Sequence, residues 1–191
     1  EEILAAYAIM GNIDKFSTVT CFGIAGASAV LVGKRIGEGA SREETYDLSW
    51  CLLLVSLFIG FTVAACLAIL LPTVFIPYLY PLFHLEGLSL NIATIMCTVY
   101  VVMLPLKSFD INNITGILRA GGDARMASVI DLAPLWLVAV PLTALTGLVL
   151  NAPVWVVCLC IQVENICKMP LGVRRLRSRK WINNITRENP S

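Results

Sequence analysis

Four ionisable side chains interrupt stretches that are otherwise apolar: Asp14 and Lys15 in one, Lys107 and Asp110 in another. Placing such a group in hydrocarbon costs about 2.5–3.5 kcal/mol on insertion scales, so each is a functional candidate by default. Acid and amine together could hold a cation, pass a proton, or simply neutralise one another in helix packing. Residues three apart share a helix face, which lets Lys107 pair with Asp110 inside one helix, whereas the adjacent Asp14 and Lys15 point in different directions. At about 1.5 Å rise per residue, Lys107 falls near the bilayer midplane, Asp110 slightly inward, and Asp14 and Lys15 somewhat outside it. Staggered depths suit the lining of one aqueous cavity, where secondary transporters keep substrate and coupling-ion sites. Asn112, Asn113 and Thr115 add hydrogen-bonding groups that a lipid-facing helix would not need. Asp14, Lys15, Lys107, Asp110 and Asn113 are therefore the candidate substrate or ion residues.

Other chemistry is poorly supported. Glu164 and Lys168 are four apart with the acid first, the favourable order for a structural ion pair within a helix. Asp131 lies near enough to the inner surface to reach headgroups and receives no role. The one histidine, His84, has no partner at metal-ligand spacing, so no Ser-His-Asp, Cys-His or H-E-x-x-H arrangement can be built. No phosphate-cradling loop follows a strand. The seven cysteines include no C-x-x-C pair and all fall in apolar stretches, where free Cys behaves as a small hydrophobe. These features predict no enzyme, no metal centre and no cofactor. A net charge of +1 lacks the basic stripe of a nucleic-acid binder.

The elements that must position these residues are membrane spans. The chain is 58% hydrophobic and 14% charged, with a mean hydropathy of +0.80, far from the balance of soluble domains. A span needs about 20 apolar residues, and polar or Pro/Gly-rich breaks divide the chain into spans at about 3–32, 48–77, 89–118, 127–150 and 153–171. The prediction is an all-α membrane protein, a bundle of five transmembrane helices over 1–171 followed by a basic cytoplasmic tail over 172–191. Lys34, Arg35 and Arg42, then Arg119 and Arg125, then the cluster from Lys168 to Arg187 fall on one side, while the breaks at 78–87 and 151–153 hold no Lys or Arg. Basic residues accumulate in cytoplasmic loops, so Glu1 is expected outside and Ser191 inside the cell membrane. Tyr78, Tyr80, Phe83 and His84, with Trp155 and Trp181 near span ends, fit headgroup level. The stretch 174–180 is basic enough to touch anionic lipid. Asn-Ile-Thr triplets at Asn113 and Asn184 match a glycosylation pattern, but one lies in a span and the other inside. With neither an initiator Met nor a charged segment before a short apolar core, the N-terminus is no signal peptide, and the chain is expected to begin within a longer protein.

Two segments carry a family resemblance. Ala29 to Gly39, reading Ala-Val-Leu-Val-Gly-Lys-Arg-Ile-Gly-Glu-Gly, resembles the Val-Gly-x-x-x-Gly-x-Gly stretch that closes the second helix of each half in multidrug and toxic compound extrusion (MATE) transporters, and Leu4-Ala5-Ala6 fits its opening. Gly116 to Arg125, reading Gly-Ile-Leu-Arg-Ala-Gly-Gly-Asp-Ala-Arg, is similar to the Leu-Arg-Gly-x-Gly-Asp-Thr-Arg loop between the tenth and eleventh helices, departing from it at Ala120 and Ala124. Gly33, Gly37 and Gly39 with Arg119, Gly122 and Asp123 are the motif-loop residues. The resemblance implies helices eight to twelve of twelve, part of a second lobe whose partners are the first lobe, the seventh helix, membrane lipid and a small-molecule substrate. It also implies an antiporter that exports drug-like or organic cationic compounds against protons or sodium ions by alternating access, to which Pro72, Pro105, Pro134 and Pro141 could lend bends. Asp110 lies in the helix where some members carry a cation-binding Asp, although the count back from Arg119 places that residue near Ser108. The alternatives are a lipid-linked oligosaccharide flippase of the same superfamily, for which Lys15 and Lys107 would suit a lipid phosphate, and a non-transporting membrane subunit or gene remnant.

Overall fold

The computed structural model describes residues 2–82, 87–150 and 152–183, and among these every regular element is helical. Helix α1 spans Glu2–Gly37. It closes where Gly39 turns to a φ of 82°, a conformation that costs glycine little and returns the Ala40 N–H to the Arg35 carbonyl. Helix α2, Arg42–Leu70, starts on a capping box: the Ser41 hydroxyl accepts from the Glu44 N–H while the Glu44 carboxylate accepts from the Ser41 N–H. It continues through a π-helical stretch, Leu71–Leu79, into a last turn at Tyr80–Leu82. Helix α3, Leu88–Ile111, passes directly into a second π-helical stretch, Asn112–Leu118. Helix α4 begins as Ala124–Pro134 and reaches Val149 through alternating α and π turns. Helix α5 is Val154–Arg177.

Among the described residues five segments are long and apolar enough to cross a membrane: Tyr7–Gly37, Arg42–Tyr78, Leu90–Leu118, Ala124–Val149 and Trp155–Arg177. With Phe16 81%, Phe58 73%, Leu137 76% and Leu148 81% exposed, their outer faces are surfaces for hydrocarbon. The chain is thus an all-α membrane helix bundle. Half of the most apolar stretch of α3 is buried, against 17–28% for the other four spans, so α3 is the central helix, packed on α1, α2 and α5. Small residues let it approach closely: a methyl at Gly60 would lie 3.0 Å from the Pro105 Cα, and one at Gly116 would lie 2.9 Å from the Ala25 carbonyl oxygen.

Helix ends differ from the hydropathy reading because a helix continues while its backbone hydrogen bonds do, past the last apolar residue. Thus α1 runs on through Lys34 and Arg35, and α5 through Arg177, so the expected basic tail is helical in its first turns. Trp181, expected at headgroup level, is fully buried, its indole N–H donating to the Leu176 carbonyl at 3.0 Å. Wide turns accompany Pro72, Pro77 and Pro134, but Pro105 sits in regular α3, and the π stretch after it contains no proline. Phe83, His84 and Asn184 lie outside the described residues.

Candidate functional site

The side chains of α3 divide between two flanks. Lys107 reaches across to α1 and forms an ion pair with Asp14, which also accepts from the Thr18 hydroxyl at 3.2 Å. The Lys107 ammonium lies 5.3 Å from the centre of the Tyr100 ring, two turns back along α3, the direction in which long helical side chains lean. Lys107 therefore pairs between helices, with Asp14 of α1, and makes no ion pair with Asp110 on its own helix.

This pair opens onto a cavity of about 210 Å³ between α1, α3 and α5, whose polar lining is Asp14, Tyr100, Lys107, Gln162, Glu164 and Asn165. Tyr7, Met10 and Met96 contribute apolar wall. Lys15, the sequence neighbour of Asp14, is exposed, makes no ion pair among the described residues and does not line this cavity.

On the other flank Asp110 and Asn113 are buried, and neither the two carboxyl oxygens nor the two amide atoms have a hydrogen-bond partner among the described residues. Asn113 faces α5, since a methyl at Gly172 would lie 2.5 Å from its amide nitrogen. Asp110 feels the charges of Lys168, Asp131 and Glu164. These form a chain of their own: Glu164 to Lys168 at 3.6 Å, Lys168 to Asp131 at 3.0 Å, Asp131 to Arg119 at 3.7 Å. Glu164 belongs to both flanks, lining the cavity and holding Lys168. Its i, i+4 pair with Lys168 follows the sequence spacing, but Asp131, left without a role there, is the bridge from Lys168 to the motif Arg119. Ser108, the other position considered for a family carboxylate, donates its hydroxyl to the Ser56 carbonyl at 3.0 Å. Sequence reasoning missed Tyr100, Gln162 and Asn165 as cavity residues. Gln162 and Asn165, three apart in an apolar span and hydrogen-bonded at 3.1 Å, carried a readable signal.

The motif loops hold together the basic end of the bundle. Asp123 holds Arg175 of α5 at 2.5 Å, and Gly122, at a φ of 88°, makes the turn that leads into α4. Gly33 and Gly37 face open space, with nothing within 4 Å of an added methyl. Among the described residues, no three of His, Cys, Asp or Glu come together to hold a metal ion.

The protein named "Uncharacterized transporter YisQ" from Bacillus subtilis (strain 168) is 26% identical over 174 residues, which is 90% of this chain but 36% of that relative. This chain thus spans little more than a third of the relative's length. No solved structure matches it. The sequence model of the MatE family matches residues 1–145, well over half of the chain and inclusive of both glycine-rich loops, so the chain belongs to the MatE family.

Proposed function

We propose that this chain serves a secondary active antiporter of the cell membrane that exports an organic cation in exchange for protons or sodium ions, and forms part of its second lobe. One observation supports this most: Asp110 is buried with neither carboxyl oxygen hydrogen-bonded among the described residues, while the nearby Lys168 is shared by Glu164 and Asp131. Asp110 is therefore left without a positive charge of its own. A buried carboxylate without a partner is costly in a low-dielectric surrounding, so the deficit has to be met by a proton, a small cation or a cationic substrate. Asp110 is the group left without a partner and is the proposed coupling site; the cavity at Asp14, Lys107 and Glu164 is the proposed substrate side. Proton and sodium coupling remain equal alternatives in this reading. A lipid-phosphate flippase would want an uncommitted cation in the cavity, and Lys107 is held by Asp14.

In this reading the first lobe and the seventh helix complete the transporter, the N-terminal end of the chain faces outside, and the C-terminal end faces the cytoplasm. The test is export of a fluorescent organic cation from vesicles containing the full-length protein, under an imposed proton or sodium gradient. Asp110→Asn is expected to leave dye movement unresponsive to either gradient, and Lys107→Ala to slow it. Unchanged, ion-driven export in both variants would remove these residues from the mechanism.

A further inference from the structure

Away from the cavity, the end of the bundle where α4 begins and α5 finishes carries an open groove of about 380 Å³. Its rim is basic, with Arg174, Arg175 and Lys180 around the Ser178 hydroxyl, and its floor is apolar, with Met126, Ile130 and Leu171. Arg175 is committed to Asp123, whereas Arg174 and Lys180 make no ion pair among the described residues. Two cations beside an apolar floor match a ligand that carries both an anionic and an apolar part.

The apolar floor continues along α4. Met126, Val129, Ile130, Ala133 and Trp136 follow one another at helical spacing on one face, and a second shallow groove is lined by Val129, Leu132, Ala133 and Trp136. Val129 and Trp136 are exposed at 55% and 65%. From Met126 to Trp136 the strip is about 15 Å long at helical rise, half of a hydrocarbon core about 30 Å thick, and so the depth of one leaflet.

We propose that this groove is a binding site for one anionic glycerophospholipid. Its phosphodiester sits between Arg174 and Lys180, beside Ser178, whose hydroxyl already donates to the Arg175 carbonyl at 2.6 Å, and an acyl chain lies along Met126, Val129 and Trp136. Charge selects the class: a zwitterionic headgroup would bring its own ammonium against the same two cations, while an anionic one adds no opposing charge. The leaflet-long strip selects a lipid over a free phosphate compound, which would have no use for it. The site does not depend on the transport reading, since it lies on the outer face of α4 and α5 and uses none of the cavity residues.

The test uses the full-length protein in nanodiscs of phosphatidylcholine containing increasing fractions of phosphatidylglycerol or phosphatidylcholine with brominated chains. The Trp136 signal is taken as the difference between the wild type and Trp136→Phe. Brominated phosphatidylglycerol is expected to quench it at a much lower mole fraction than brominated phosphatidylcholine, by roughly fivefold for each of the two cations. Arg174→Gln with Lys180→Gln is expected to erase that preference, and Arg174→Lys with Lys180→Arg to keep it. Equal quenching by both lipids, absence of quenching by either, or a preference that survives the neutralised pair would each overturn the proposal. Should the neutralised variant fail to fold, mass spectrometry of the wild type after detergent washing decides: retained phosphatidylglycerol supports the site, and its complete loss alongside phosphatidylcholine rejects it.

Discussion

Asp14 and Lys107 stand 93 residues apart in the chain and meet across the α1–α3 contact, where each makes the other tolerable in an apolar surrounding. Breaking such a pair from one side strands the remaining charge, whereas replacing both by apolar groups of similar size comes closer to neutral. Lys107→Met alone is therefore expected to lower the stability of the detergent-solubilised protein by about 1–3 kcal/mol, toward the lower end because both side chains keep partial exposure. Adding Asp14→Leu should restore most of that loss. Thermal unfolding of the two variants in one detergent decides it, and an equal loss in single and double variants would mean that the pair does not stabilise the contact. The sequence made these groups conspicuous by their cost but left their partners open. Spacing within a helix offered Lys107 the nearby Asp110, and only the packing of α1 against α3 determines that its partner is Asp14. The same limit applies to Asp131, whose meaning depends on Lys168 arriving from another helix.

At the scale of elements, the spans were legible because a crossing helix satisfies its own backbone hydrogen bonds, so its length and hydropathy are properties of one contiguous segment. The wide turns were not, since the stretch Asn112–Leu118 follows Asp110 without a proline to announce it. Nor was the end of the chain's described part, where charge suggested a solvated tail. There Trp181 packs against the backbone of Gly121, the Asn183 N–H donates to the Gly121 carbonyl at 2.8 Å, and Arg179 lies 4.6 Å over the Tyr46 ring. These contacts tie α5 to the start of α2 and to the turn before α4. Trp181→Ala is expected to cost about 3–5 kcal/mol, as for other fully buried aromatic side chains, measured as a fall in melting temperature. Loss of less than about 1 kcal/mol would return Trp181 to the surface role that its position in the sequence suggested. Gly116→Ala tests the core of the bundle in the same way. Its methyl would meet the Ala25 backbone, which cannot step aside without moving α1, so overpacking is expected to destabilise by about 1–3 kcal/mol.

For the whole molecule, the order of the charges and the depth of the helices lead to the same arrangement. Lys34, Arg35, Arg119, Arg174 and Arg175 gather at one end of the bundle, where Arg35 pairs with Glu38 and Glu44 and Arg175 with Asp123. At the other end, Tyr78 is 73% exposed on a wide-turned helix end that carries no basic residue. If basic residues mark the inner leaflet, as they do when short loops fail to translocate, the two ends must differ in what can reach them from outside an intact cell. Tyr78→Cys in the full-length protein is expected to react with a membrane-impermeant maleimide added externally, and Lys180→Cys to react only after the membrane is opened. Native Cys51 and Cys66 are exposed on α2 within its span, facing hydrocarbon that a membrane-impermeant reagent does not enter, so they should add little background. Reaction of Lys180→Cys from outside would reverse the orientation. It would also move the proposed lipid groove to the outer leaflet, where the supply of anionic headgroups differs, while leaving the ion pairs inside the bundle as they are.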